Sequence, residues 1–195
     1  MKIVFVTNNL NKLKEIKAFM PQGIDIISLE EVGCFEDIPE TGDKLKDNAL
    51  EKARYLKNYY GFDCFADDSG LEIETLNGAP GVYSARYAGP ERNSQANMDK
   101  VLKELEGHFN RKAKFRTSIA LILNGKEYLF EGIVDGNISL EKNGNEGFGY
   151  DPIFFPENSD RSFGQMHIEE KGRISHRGRA VKKLVDFITS LPESD

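Results

Sequence analysis

Residues 113–134 constrain the fold of this chain more than any other stretch. Residues 113–123 read as a strong strand, apolar without interruption at 119–123, and residues 128–134 read as another. Between them stands Asn124-Gly125, a pair suited to a two-residue hairpin turn because both central positions take positive φ. An antiparallel pair is therefore expected in the middle of the chain. Ile138 and Leu140 suggest one more strand after it.

The N-terminal part reads as alternating strands and helices. Residues 2–6 are β-branched and aromatic, a buried strand that ends in Thr7-Asn8-Asn9, good helix-capping material. Leu13, Ile16 and Met20 follow at helical spacing until Pro21 and Gly23 stop the helix, and residues 24–28 form a second short strand. Residues 30–43 are acidic and irregular. A helix is expected over 43–60, with Leu45, Ala49, Ala53, Leu56 and Tyr60 facing the core and Gly61 as its C-cap. A strand at 63–66, an acidic turn, a strand at 71–75, a helix over 91–106 and a last helix over 177–190 complete the pattern. No repeat, low-complexity tract or linker interrupts it. One domain over residues 1–195 is expected, a mixed α/β sheet flanked by helices.

Composition narrows the function classes. A net charge of −6 gives the chain no attraction for a nucleic-acid backbone, so no nucleic-acid polymer partner is expected. No stretch approaches the roughly 20 apolar residues that cross a bilayer, and the N-terminal apolar run is too short for a signal-peptide core. The two cysteines, Cys34 and Cys64, stand in no metal-binding or redox spacing and read as reduced thiols. A cytoplasmic protein without membrane contact is the expectation.

Five segments carry candidate chemistry. Phe65-Ala66-Asp67-Asp68-Ser69-Gly70-Leu71 sets two carboxylates after a short apolar segment. Buried carboxylates are costly unless neutralised, which a divalent cation does well. The same residues are ordinary turn formers, and this segment alone leaves both readings open. Thr7-Asn8-Asn9-Leu10-Asn11-Lys12 leads into a helix whose N-terminal N–H groups suit phosphate. Lys12 is unfavourable there by the helix dipole, which an anion would offset; plain capping with a solvated lysine is the alternative.

Glu40, before the 43–60 helix, can supply a second carboxylate to a metal, and Asn48 and Lys52 share one face of that helix. A solvated acidic loop reads equally well. Gly147-Phe148-Gly149-Tyr150-Asp151-Pro152 lets a backbone pass close to a flat ligand on which Phe148 can stack, or is a turn feeding an aromatic strand. Lys171 to Arg179 concentrates basic groups and one of the three histidines, His176, in an acidic chain, which favours an anion or base-edge contact.

Taken together these segments resemble a known family, the inosine/xanthosine triphosphate pyrophosphatases, RdgB-type enzymes that remove non-canonical purine nucleotides. The resemblance runs from Thr7-x-Asn9-x-x-Lys12-x-x-Glu15, through Glu40-Thr41-Gly42, Asn48-Ala49 and Lys52-Ala53, to Ala66-Asp67-Asp68-Ser69-Gly70-Leu71. It continues through Gly78-Ala79-Pro80-Gly81-Val82-Tyr83-Ser84-Ala85-Arg86-Tyr87, the 147–152 motif and Ser175-His176-Arg177-Gly178. It implies an elongated mixed sheet with two lobes around a central substrate cleft, a homodimer, and Mg²⁺-dependent cleavage of a purine nucleoside triphosphate (ITP, dITP or XTP) to the monophosphate and pyrophosphate.

By the same resemblance, Thr7, Asn8, Asn9, Leu10, Asn11 and Lys12 hold the triphosphate. Glu40 and Asp68 are metal ligands, and Asp68 is also the base that activates water; Asp67 either ligates the metal as well or supports Asp68, and the sequence leaves both open. Ser69 touches substrate, Lys52 and Lys171 bind phosphate or base, and Arg86 assists from the 83–87 loop. Phe148, Gly149, Tyr150, Asp151, His176 and Arg177 form the base pocket. A pocket of donors accepts the 6-oxo group of hypoxanthine or xanthine and mismatches the 6-amino group of adenine. A pyrophosphatase of modified pyrimidine nucleotides and a non-catalytic nucleotide-binding regulator are the competing readings.

Overall fold

A computed structural model of the chain describes residues 1–192, so the last three residues of the expected 1–195 domain lie outside the described part. It contains one six-stranded sheet, ordered β2-β1-β3-β4-β5-β6. The strands are β1 (Lys2–Phe5), β2 (Asp25–Ile27), β3 (Cys64–Ile73), β4 (Lys112–Leu123), β5 (Lys126–Ile138) and β6 (Phe154–Pro156). β1 lies parallel to β2 and β3, and β3 through β6 pair antiparallel, so the sheet is mixed as expected. The connecting helices are α1 (Leu10–Phe19), α2 (Leu45–Tyr60), α3 (Ser94–Glu104), α4 (Ile168–Ile174) and α5 (His176–Ser190). None of the helices among the described residues is long and apolar enough to cross a membrane.

Strand periodicity decides where the cores sit. On one face, Phe5, Phe65, Ile119 and Leu121 pack with Ile16 of α1 and Ala180, Val181 and Leu184 of α5. On the other, Val6, Cys64, Ala66, Ala120 and Ile122 pack with Ala49, Ala53 and Leu56 of α2. Both faces of β4 are covered here, which is why 119–123 is apolar without alternation. A third core joins the other ends of the long strands, at Leu71, Ile73, Phe115 and Val134, to Met98 and Val101 of α3 and to Phe154 and Phe163. The expected two lobes are these packed ends, and Asp67 to Gly70 lies on β3 between them.

Three expectations change. The acidic turn is absent: β3 runs unbroken through Asp67-Asp68-Ser69-Gly70, with Asp67 opposite Ile119 and Asp68 opposite Ser118 of β4. The ladder satisfies the backbone, and each polar side chain has a partner on its own face, so turn propensity is overridden. Ile138 does not start a new strand but ends β5, and Leu140 beyond it is exposed. The last helix, expected from 177, starts at His176 and is preceded by an unexpected helix, α4, so the basic segment spans both, with Ser175 capping α5 through a 3.1 Å bond from the Gly178 N–H to its hydroxyl.

Candidate active site

Alternation along β3 sends Asp67 and Asp68 to opposite faces of the sheet. Asp67, fully buried, points toward α1 and α5. Lys12 Nζ donates to its Oδ1 at 3.0 Å, and Arg177 Nε and Ser69 Oγ donate to its Oδ2 at 3.1 and 3.2 Å. Burial alone would raise its pKa, but Lys12, Arg177 and Lys52 hold the carboxyl well below the usual range. Asp68 points toward α2. Asn48 Nδ2 donates to its Oδ2 and the Ser69 N–H to its Oδ1, each at 2.9 Å. Burial dominates here and raises its pKa, opposed by Lys52 and Lys12 and assisted by Glu40. One sequence pair thus yields a locked anion and a more basic carboxylate.

Lys12 is not a freely solvated lysine: its ammonium pairs with Asp67, which offsets the dipole penalty from within the protein. The α1 N-terminus is also partly capped, since Asn9 Oδ1 accepts the N–H groups of Asn11 and Lys12 at 3.0 and 3.1 Å. Lys52 Nζ donates to Glu40 at 2.5 Å and to the Asp67 carbonyl at 2.7 Å. Burial lowers its pKa, yet Glu40, Asp68 and Asp67 together raise it, so the ammonium stays charged.

A buried chain of charges leads from this point to the glycine loop. Arg177 bonds Glu15 at 2.5 Å and Ser69 Oγ at 3.0 Å; Lys171 bonds Glu15 at 2.5 Å and Asp151 at 2.6 Å. The Phe148 N–H donates to Asp151 Oδ2 at 2.9 Å, which folds the loop back on itself. Gly147 is required there: its φ is +69°, and a Cβ would fall 2.0 Å from that same oxygen. The Phe148 ring lies 5.0 Å from Lys171 Nζ and 5.5 Å from Arg177 Cζ, within cation–π range of both. His176 stacks on Phe115 with ring centroids 4.5 Å apart, and its Nδ1 has no partner among the described residues. Burial and the neighbouring Arg177 and Lys171 charges push its pKa well down, keeping the ring neutral.

Most of these groups line one cleft of about 560 Å³, with Asp67, Asn48, Glu15 and Gly147 outside its lining. Of the residues expected at the site, all but Leu10 and Asn11 line it. Those two sit on the outer side of the first turn of α1, and Leu10 is 79% exposed. Sequence reasoning gave no role to Glu15 or Thr117, nor to Arg92, Ser84 and Asn97 on the cleft wall. Glu15 left two usable signals: it closes the Thr7-x-Asn9-x-x-Lys12-x-x-Glu15 motif, and it follows Lys12 by three residues on the same helix face.

Among the described residues no group of three or more His, Cys, Asp or Glu side chains is placed to hold a metal ion. Glu40 and Asp68 nevertheless both line the cleft beside Lys52. Burial raises the pKa of Glu40, but Lys52, Lys12 and Arg92 hold it below the usual range, and it stays ionised. Two oxygen-donor carboxylates open to a cleft fit a hard cation such as Mg²⁺, which takes one or two carboxylates and completes its shell with water and phosphate.

The sequence matches the profile of the Ham1 family over residues 3–187. A dITP/XTP pyrophosphatase of Flavobacterium johnsoniae is 54% identical over 190 residues, covering 97% of this chain and 99% of its own. One from Porphyromonas gingivalis is 50% identical over 188 residues, covering 96% and 97%. A solved structure of a HAM1 protein from Coxiella burnetii superposes with a TM-score of 0.89 at 38% identity, covering 98% of this chain and 100% of that one. The Staphylococcus aureus Ham1 protein gives 0.87 at 37% identity, covering 97% and 98%.

Proposed function

The chain belongs to the Ham1 family, and from that premise we propose that it is a house-cleaning hydrolase of non-canonical purine nucleoside triphosphates. Its substrates are ITP, dITP and XTP and its products the nucleoside monophosphate and pyrophosphate. Relatives named dITP/XTP pyrophosphatases, alike over nearly the whole chain, support the substrate class. The observation that carries the chemistry is the split pair on β3: Asp68 faces Lys52 and Glu40 at the cleft, while Asp67 anchors Lys12 and Arg177.

In this reading Lys12 and Lys52 offset the charge of the triphosphate, which carries about four negative charges near neutral pH. Glu40 and Asp68 would hold Mg²⁺, which when bound neutralises phosphate oxygens and orients water. Asp68 is the general base: it accepts a proton as the water oxygen bonds to the α-phosphorus and the bond to the bridging oxygen breaks. The electron pair leaves with pyrophosphate. Burial makes Asp68 the more basic of the two β3 carboxylates, and the Lys52 and Lys12 charges oppose that rise. The base lies against Phe148, where Arg177 and backbone N–H groups favour a 6-oxo purine over adenine.

We read residues 1–195 as one catalytic domain acting in the cytoplasm as a homodimer. The buried free thiols of Cys34 and Cys64 suit a reducing compartment. A substrate panel with pyrophosphate detection tests the function. Mg²⁺-dependent pyrophosphate release from dITP, ITP or XTP, much faster than from ATP or GTP, is expected. Release of inorganic phosphate, or equal rates with ATP, overturns it. Asp68→Asn should lose about 10²–10⁴-fold in kcat, the usual contribution of a general base.

A further inference from the structure

Asn48, in the first part of α2, is 1% exposed and does not line the cleft, yet both ends of its amide are committed. Its Oδ1 accepts the Gly42 N–H at 2.7 Å, and its Nδ2 donates to Asp68 Oδ2 at 2.9 Å. The orientation follows from chemistry. A backbone N–H can only donate, so the amide oxygen faces Gly42 and the NH₂ group is left facing Asp68. Since the Ser69 N–H holds the other oxygen of Asp68, the carboxylate is gripped at both ends and its rotation is stopped.

The contact to Gly42 is tight. A Cβ there would sit 2.9 Å from Asn48 Oδ1 and 2.8 Å from Asp47 Cβ. The rest of the loop is held by the same helix: Glu51 accepts the Thr41 N–H and hydroxyl at 2.7 and 3.0 Å, and Lys52 bonds Glu40 at 2.5 Å. Of these contacts, only Asn48 joins the Glu40 loop directly to the Asp68 side chain. A neutral amide is suited to this post: it donates to Asp68 without neutralising it, whereas a carboxylate would repel it.

We propose that Asn48 is a positioning residue for the hydrolysis, aiming the Asp68 carboxylate and fixing it in register with the loop that carries Glu40. This rests on the functional reading above. It acts through Asp68 and not through the substrate, so its loss should fall on turnover rather than binding.

The test compares Asn48→Asp and Asn48→Ala with Glu51→Gln. Asn48→Asp keeps the size and the acceptor for Gly42 but turns an oxygen toward Asp68. Asn48→Ala removes the amide without adding charge. Glu51→Gln disturbs the same loop without touching Asp68. Both Asn48 variants should lose about 10–100-fold in kcat on dITP, the range seen when an outer partner of a ligand is removed. KM, and the calorimetric affinity for an uncleavable α,β-methylene analogue of dITP, should stay within about threefold of wild type. Glu51→Gln should keep most of its turnover.

A kcat for Asn48→Asp near that of wild type overturns the proposal. So does an equal loss in Glu51→Gln, which would make loop anchoring the cause, or a parallel fall in analogue affinity, which would make the role merely structural. A wild-type protein that releases no pyrophosphate at all overturns the functional reading, and this inference with it.

Discussion

Glu15 bonds two buried cations, Lys171 and Arg177, from a position 3% exposed. Burial would raise its pKa, but Arg177 and Lys171 outweigh that and leave the carboxyl below its ordinary value. The sign for stability follows. A depressed folded pKa means that the unfolded chain binds the proton first, so stabilisation is complete above the unfolded value of about 4.3 and is lost as pH falls through the folded value. Urea midpoints of wild type should therefore drop steeply below about pH 4.3, and Glu15→Gln, already destabilised at neutral pH, should show a shallower acid limb. Parallel acid limbs would show that Glu15 carries no linked stability. The partners of Glu15 also show where sequence reading stops. Lys171 and Arg177 lie 156 and 162 residues away, and no local pattern marks a carboxylate that will be satisfied across such a separation.

At the level of elements, the site depends on how closely α5 lies on β5. A Cβ at Gly132 would fall 2.0 Å from the His176 carbonyl oxygen and 2.5 Å from Ala180 N. Gly132→Ala must push the start of α5 outward. It should cost roughly 1–3 kcal/mol of stability, or more, by overpacking. The displaced turn carries His176 and Arg177, so kcat/KM on dITP should fall as well. Thermal melts and steady-state kinetics on one sample check both, and an unchanged kcat/KM would free the site from this contact. The hairpin of β4 and β5, the α2 stripe and the Asn9 cap were legible because each is written in neighbouring residues. β3 was misread at Asp67-Asp68-Ser69-Gly70, and α4 was missed around Gly172, for one reason. Turn-forming and helix-breaking residues keep their local preference on paper, while distant partners decide the outcome: Lys12, Asn48 and Arg177 at β3, and Glu15 and Asp151 at Lys171 of α4.

For the whole molecule, the charge of −6 repels an anionic nucleotide at long range, while the cleft's Lys12, Lys52, Lys171 and Arg177 are already paired with the protein's own carboxylates. Steering and counterion release therefore have little to offer. Added salt screens the repulsion as much as the attraction, so kcat/KM should change by less than about threefold between low and physiological ionic strength. A steep fall, measured at substrate well below KM, would reveal unpaired cations dominating capture. The alternation on β3 has a consequence for inheritance. Single substitutions there alter one partnership at a time and can be tested by selection one by one. Loss or gain of one codon ahead of Asp67 would turn every later side chain of the strand to the other face, exchanging anchor and base in one step. Descendants of such a gene can vary the letters of this strand, but they can change its length only by even numbers.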